Sequence, residues 1–336
     1  MRLFILFLLA WVHLCSQPGI VIAVCDRYVE DLILSLTYLR NYTGCKLPIE
    51  IWHAGDELSE ENQRRLLAFE DVSIGDITEK VNREANHFRG FQIKGYLPAV
   101  SSFDEVIIMD ADLIFYQDPA ILLKHKGYKK TGAFFFCDQE SYKFFGYSRV
   151  SGRLYHGGLL SYFQSRKALF TTLIDKPSDS FPERWNIYWS NIEPTPLTPF
   201  PSEHQESGCV VIDKKRHEVG IRFVEELNAD YENTYKYVWG DKETYWLGFE
   251  MAGEPYYFND TIPGKIMDRY SFLLPIDIAK VRLVQVVDGK IFYQQKEPKG
   301  VTHHAYFLQR SEEKLKRKLT SDEIEWINKA ASFKPR

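Results

Sequence analysis

Two aspartates one residue apart, Asp110 and Asp112, follow four consecutive apolar residues, Val106 to Met109, in the stretch "EVIIMDADLIF". An unpaired carboxylate at the end of a buried strand is expensive, so the pair demands a partner: an arginine, backbone N–H groups or a metal ion. On an extended backbone, residues i and i+2 face the same way. Two carboxylates on one side make a hard-oxygen site suited to Mg2+ or Mn2+. Those ions bridge diphosphate oxygens, so Asp110 and Asp112 read as ligands of a metal that holds a nucleotide-linked donor. The competing explanation is local: Asp112 or Asp118 caps the turn that follows, near Pro119.

Three further stretches carry candidate chemistry. In "YVWGDKETYWLGFE", Gly240 frees the backbone just before Asp241, Lys242 and Glu243, which open a helix whose inner face is Tyr245, Trp246 and Phe249. Carboxylates at such a place are often plain helix caps. The functional reading has Asp241 holding sugar hydroxyls, with Asp241 or Glu243 stabilising positive charge at a reacting carbon. "ESGCVVIDKKRH" is a buried strand running into basic residues. In "GVTHHAYF", either His303 or His304 could return to Asp110 and Asp112 and complete the ligand set of a metal; by themselves, adjacent histidines are more often structural.

These residues need a scaffold, and the apolar spacing supplies one. A continuous apolar strand, Ile20 to Val24, precedes a helix with Val29, Leu32, Ile33, Leu36 and Leu39 at helical spacing. Asp26, between them, reads as a cap for that helix and is also a candidate cofactor-binding residue. "LPIEIWHAG" is a second strand, a helix opens at Ser59, "VSIGDIT" is a third strand, and "FQIKGYLPAVSS" is a helical segment interrupted at Pro98. "EVIIMDAD", "TGAFFFCD" and "SGCVVIDK" follow as strands, the last leading into a helix over 214–228. Alternating strands and helices predict a doubly wound, Rossmann-like α/β sheet flanked by helices, in which ligands gather outside the C-terminal strand ends, where Asp110 and Asp112 fall. Residues 175–205, rich in Pro, Ser and Trp, form no long regular element. Their Trp185, Tyr188 and Trp189 are a candidate acceptor surface, packing onto the domain being the alternative.

The 336 residues carry a net charge of −4, which gives no argument for a nucleic-acid partner, and 45% of them are hydrophobic, enough for a large core. "MRLFILFLLAWVHLCSQ" is a different material: Arg2, then an apolar run shorter than a spanning helix needs. Residues 1–17 read as a signal peptide or a short signal-anchor, with membrane anchoring through residues 3–15, and either one directs the chain into the secretory pathway. Residues 18–310 read as one catalytic domain and 311–336 as a charged helical tail with a Thr320-x-x-Glu323 capping box. The sequons at Asn41 and Asn259 are compatible with that address. Cys25 and Cys45 either bridge or stay as buried thiols.

Taken together, "FQIKGYLPAVSSFDEVIIMDADLIFYQDPAILL", "GAFFFCDQ", "SGCVVIDKKRH" and "GDKETYWLGF", with "LTYLRNYTGCKLPIEIWHAGDE" near the start, resemble the fungal Golgi α-mannosyltransferase family, glycosyltransferase family 71. The resemblance runs from about Gly19 to Phe258. It implies a GT-A fold, a nucleotide-sugar donor (GDP-mannose), Mn2+ or Mg2+, and α-linked transfer with retention onto a glycan or glycoprotein acceptor. A Golgi lumenal or type II membrane setting goes with it. It also implies that Lys94 sits near the donor phosphates and that Asp241 holds the donor sugar or the acceptor. Two rival classes remain. A dehalogenase-type phosphohydrolase also puts D-x-D after a strand, but near the start of its domain and with Gly-Thr following, where Leu113 and Ile114 stand here. A catalytically inactive relative that binds glycans or a partner protein is the other.

Overall fold

The computed structural model describes residues 17–88, 90–138, 140–141, 148–150, 153–155, 158–190, 200–201, 204–259, 261, 263–266 and 282–295, with isolated positions 318, 320 and 321. The leader to residue 16, His303, His304 and nearly all of the 311–336 tail lie outside the described residues. Among the described residues, no helix is long and apolar enough to cross a membrane.

The strands β1 (Pro18–Ala23), β2 (Ile49–His53), β3 (Val72–Asp76) and β4 (Glu105–Met109) pair in parallel, in the order β3-β2-β1-β4. The apolar runs of β1 and β4 are continuous because both sheet faces are covered there. In β4, Val106 and Ile108 join one core and Ile107 and Met109 the other. A short β5 (Leu113–Phe115) follows, then β6 (Ala133–Cys137), β7 (Gln205–Asp213) and β8 (Tyr257–Asn259). β7 inserts antiparallel between β4 and β6, so the seven-stranded sheet is mixed, in the order β8-β6-β7-β4-β1-β2-β3. Helices α1 (Val29–Asn41) and α2 (Glu60–Leu66) bury their apolar stripes on one face. The other face is covered by α3 (Ile93–Val100), α6 (Glu218–Ala229) and α7 (Thr244–Ala252); α4 (Lys126–Thr131) and α5 (Gly158–Leu173) lie between α3 and α6 in the chain. This is the Rossmann-like mixed sheet that the strand and helix pattern predicts.

A second, antiparallel sheet is made by β9 (Gly264–Ile266), β10 (Arg282–Val287), β11 (Lys290–Gln295) and β5. β5 pairs with β11, Leu113 opposite Gln295. The chain therefore leaves the large sheet at Met109 and enters the small one at Leu113. Asp110, Ala111 and Asp112 are the corner between the two.

The helix expected to break at Pro98 runs through it, to Val100. Proline has no N–H to give the carbonyl of Lys94. That carbonyl instead accepts from the Tyr245 hydroxyl at 3.0 Å, so α7 supplies the bond that α3 cannot make for itself. The four described cysteines Cys25, Cys45, Cys137 and Cys209 are free thiols, and burial pushes Cys45 up to about 12. Of the two sequons, Asn41 is exposed, whereas Asn259 is buried and its Nδ2 donates to the Val286 carbonyl at 2.7 Å.

Close helix contact sets where Lys94 sits. A Cβ added at Gly95 would lie 2.1 Å from the Asn228 amide nitrogen on α6. Gly95→Ala is expected to lower stability by roughly 1–3 kcal/mol through this overpacking, outweighing the ~1 kcal/mol that alanine gains over glycine inside a helix. The urea midpoint of the variant against wild type reads the difference; an unchanged or higher midpoint would refute it.

Candidate active site

A cavity of about 610 Å³ opens at the C-terminal ends of β1 and β4, between helices α1 and α3. Its size falls in the range of small-molecule sites. It also lies where the winding of the sheet reverses, β1 leading on to β2 on one side while β4 returns on the other, which is the ligand position in such sheets. Asp110 and Asp112 both line it, from the corner between the two sheets.

Lys94 is the brace of this site. It projects from α3, is only 8% exposed, and its ammonium lies 2.7 Å from Asp110 Oδ1 and 3.0 Å from Asp241 Oδ2. It also donates to the backbone carbonyl of Ser207 at 3.0 Å and to the Ser207 hydroxyl at 3.2 Å. The D-x-D corner, the Gly-Asp-Lys-Glu turn and β7, which are far apart in sequence, thus meet on one nitrogen. The two carboxylates hold Lys94 above its ordinary range although burial opposes this. Burial pushes Asp110 up, Lys94 pulls it down, and Asp241 and Glu206 add to the rise.

A second lysine repeats the arrangement. Lys242 lies 3.0 Å from Asp138 Oδ2 and 3.0 Å from Glu206 Oε2. Glu206, 1% exposed, also accepts from the Gly208 N–H at 2.8 Å and from Gln295 Nε2 at 3.0 Å. It stands at the bulge in β7, where the register with β6 shifts. Asp138, Glu206 and the bracing role of Lys242 are what the sequence reading missed. A glutamate inside the apolar strand "ESGCVVID" was the available signal, since a carboxylate there requires a cation.

The other expected residues divide. Asp241 is in place, 2% exposed and lining the cavity. Glu243 is not at the cavity. It is fully buried, 2.8 Å from Arg166 Nη2, accepting from the His204 N–H at 2.6 Å and also from the Trp246 indole. Its charge is neutralised within an internal network, in the turn that leads into α7. Asp26 caps nothing on α1. Its carboxylate accepts from the Ser59 N–H at 2.9 Å and from Asn62 Nδ2 at 2.9 Å, tying the end of β1 to α2, while its neighbours Cys25 and Arg27 line the cavity. Trp185 and Tyr188 are buried, 1% and 0% exposed, within the core that covers Phe170 and Phe181, so they are packing residues and not a surface. Asp118 caps its own turn through Ala120 N–H at 2.9 Å.

The donor chemistry suits a divalent cation. The carboxylates of Asp110, Asp112, Glu206 and Asp241 line the cavity with three cationic side chains, Arg27, Lys94 and Lys242, which leaves an excess of negative charge that a hard cation would offset. Among the described residues, no three His, Cys, Asp or Glu side chains form a ready metal site.

Fold and site define an α/β protein with a mixed, Rossmann-like sheet and an acidic, lysine-braced cavity at the strand ends. Residues 17–269 match the family described as "Mannosyltransferase putative", and the chain belongs to it. Similar curated proteins include the "Putative alpha-1,3-mannosyltransferase MNN15" of Candida albicans, 27% identical over 72% of this chain and 35% of its own length. The "Alpha-1,3-mannosyltransferase MNT3" of Saccharomyces cerevisiae is 24% identical over 74% of this chain and 40% of its own. The chain thus spans about a third of the length of the first of these relatives. Among solved structures, core-mannan synthase A (CmsA/Ktr4) of Aspergillus fumigatus in its Mn/GDP form is similar at a TM-score of 0.45 and 11% identity, over 74% of each chain. The galactosyltransferase LgtC, with donor and acceptor sugar analogues, is similar at 0.42 and 15%, over 71% of this chain and 72% of its own.

Removing the brace should be costly. Lys94→Met leaves Asp110 and Asp241 buried without their cation, and is expected to lose roughly 3–5 kcal/mol. In wild type the contribution of Lys94 is complete below the unfolded lysine pKa of about 10.4 and is lost only as pH rises through the higher folded value. In the variant the deficit shrinks as pH falls and Asp110, which burial pushes up, protonates. Urea unfolding of both proteins at pH 5 and pH 7.5 checks this; a deficit that grows on acidification would refute it.

Proposed function

We propose that this protein transfers a hexose, mannose from GDP-mannose, onto a glycan or glycoprotein acceptor, forming an α linkage with retention of anomeric configuration. The observation that carries the reading is that Asp110, Asp112 and Asp241 line one cavity, with Lys94 bridging Asp110 and Asp241. Family membership and the α-1,3-mannosyltransferase names of the relatives support the sugar. The apolar leader supports a secretory-pathway setting, with anchoring through residues 3–15 or release after cleavage.

Asp110 and Asp112 would hold Mn2+ or Mg2+, with His303 or His304 as a further ligand, and the ion would supply Lewis-acid neutralisation of the leaving diphosphate. The chain's own residues do the rest. Lys94 keeps Asp110 at the corner and Asp241 facing the cavity, so neither carboxylate needs to reorganise when charge develops. Asp241 accepts hydrogen bonds from sugar hydroxyls of donor or acceptor. As the bond from sugar to phosphate lengthens, positive charge builds on the anomeric carbon, and the carboxylates of Asp241 and Glu206 stabilise it electrostatically. Lys242 holds Glu206 in place. Same-face attack within an ion pair, with the leaving phosphate oxygen taking the acceptor proton, and a covalent glycosyl-enzyme intermediate both lead to retention.

Donor hydrolysis tests the proposal. The purified full chain is offered GDP-mannose, UDP-galactose, UDP-glucose and UDP-N-acetylglucosamine, with Mn2+ or with EDTA. The expected result is Mn2+-dependent nucleotide release from GDP-mannose, reduced about 100-fold or more in Asp112→Ala, equivalent to about 2.7 kcal/mol of barrier. Release from a UDP-sugar instead would change the donor. No release from any donor, with or without sugar acceptors, would leave a glycan- or partner-binding relative.

A further inference from the structure

Five large apolar side chains are exposed among the described residues, and three of them, Tyr28, Phe91 and Trp239, line the one cavity described above. Exposed rings gathered at a cavity mouth are unfavourable in water unless something covers them. Phe91 is 52% exposed and Trp239 is 37% exposed, and their ring centroids lie 6.1 Å apart with the planes inclined at 41°. Tyr28 is differently engaged: the Arg27 guanidinium lies 5.3 Å from its ring centroid.

The Phe91 and Trp239 pair is built, not incidental. Phe91 stands three residues before Lys94 and Trp239 two before Asp241, so the rings flank the two residues that form the 3.0 Å ion pair. Between them lies Gly240, with φ at +59°, a conformation that glycine adopts freely. A Cβ on Gly240 would sit 2.8 Å from Phe91 Cδ2, so the ring rests directly on the glycine backbone. A ring fixed this way is preorganised and gives up little freedom on binding.

We propose that Phe91 and Trp239 form the stacking site for the hexose of the acceptor; this rests on the reading of the cavity as a sugar-transfer site. The faces of aromatic rings carry negative charge density and attract the weakly positive C–H groups on the apolar face of a pyranose. Two rings inclined at 41° make a shallow V, which a puckered pyranose fills better than a planar base, whose best partner is a parallel ring. The hydroxyl edge of that sugar meets Asp241 and Lys242, which follow Trp239 directly and line the same cavity. The nucleoside end of the donor belongs to the opposite wall, made by the residues that follow β1, where Cys25, Arg27 and Tyr28 stand. This displaces the acceptor surface from Trp185 and Tyr188, which are buried, to the cavity mouth.

Two measurements on the full chain test the proposal, with wild type, Phe91→Ala, Trp239→Ala and the ring-preserving Phe91→Tyr and Trp239→Phe. Saturation-transfer NMR with methyl α-D-mannopyranoside needs no turnover. The ring C–H protons of the sugar should receive saturation from wild type and from the ring-preserving variants, and lose most of it with either alanine variant. In the transfer assay, the KM for the same acceptor should rise about tenfold or more in each alanine variant, while GDP-mannose hydrolysis without acceptor keeps its KM within about twofold. Unchanged saturation in the alanine variants overturns the proposal. So does a higher KM for GDP-mannose with an unchanged acceptor KM, which would give the rings to the nucleoside. Absence of hydrolysis in wild type would defeat the transferase reading alone, because the NMR result still decides whether the rings hold a hexose.

Discussion

The nitrogen of Lys94 is where the molecule is tied together. A buried ammonium is tolerated only with anions and hydrogen-bond acceptors around it, and here those come from three directions: Asp110 at the corner between two sheets, Asp241 before α7, and Ser207 on β7. None of these could take its position alone. Asp110 without Lys94 is a carboxylate at the end of a buried strand, and Asp241 is nearly inaccessible to water. The helix that presents Lys94 is itself incomplete, since Pro98 leaves a carbonyl that Tyr245 of α7 must satisfy. Helix, corner and turn therefore form as a unit.

The second lysine extends this logic to the far wall. Lys242 spans Asp138 at the end of β6 and Glu206 at the bulge of β7, and Gln295 closes the ring of contacts from the small sheet. The carboxylates that line the cavity outnumber its three cationic side chains, Arg27, Lys94 and Lys242, so its lining stays net negative. The aromatic pair at the mouth gives the same cavity an apolar face.

One network in the interior has no part in this. Glu243, Arg166 and His204 are all completely buried among aromatic rings, and their hydrogen bonds join α5, β7 and α7. From sequence, Glu243 looks equivalent to Asp241, two residues away in a helix-opening run. Both lie in the turn that precedes α7, and there the groups nearest Glu243 are Arg166 and the Trp246 indole instead of the cavity. Trp185 and Tyr188 are likewise buried: their segment, though irregular in composition, wraps as a short 3-10 helix with its rings turned into the core.

Local chemistry determined a good deal by itself. Continuous apolar runs of four or five residues can only be strands buried on both faces, and helical spacing between them implies a doubly wound sheet, so the Rossmann-like layout and the position of Asp110 and Asp112 at a strand end followed from pattern alone. Gly240 marked the turn that brings Asp241 to the cavity. The tertiary structure alone decided which charges face the opening and which face each other. Whether Lys94 pairs with Asp110 and Asp241, Glu206 with Lys242, or Asp26 with Ser59 depends on residues 16 to 147 positions apart meeting in space. Periodicity reports which side of an element is apolar, but carries no information about the distance between two polar groups on different elements, and at a buried site it is that distance which separates a brace from a ligand.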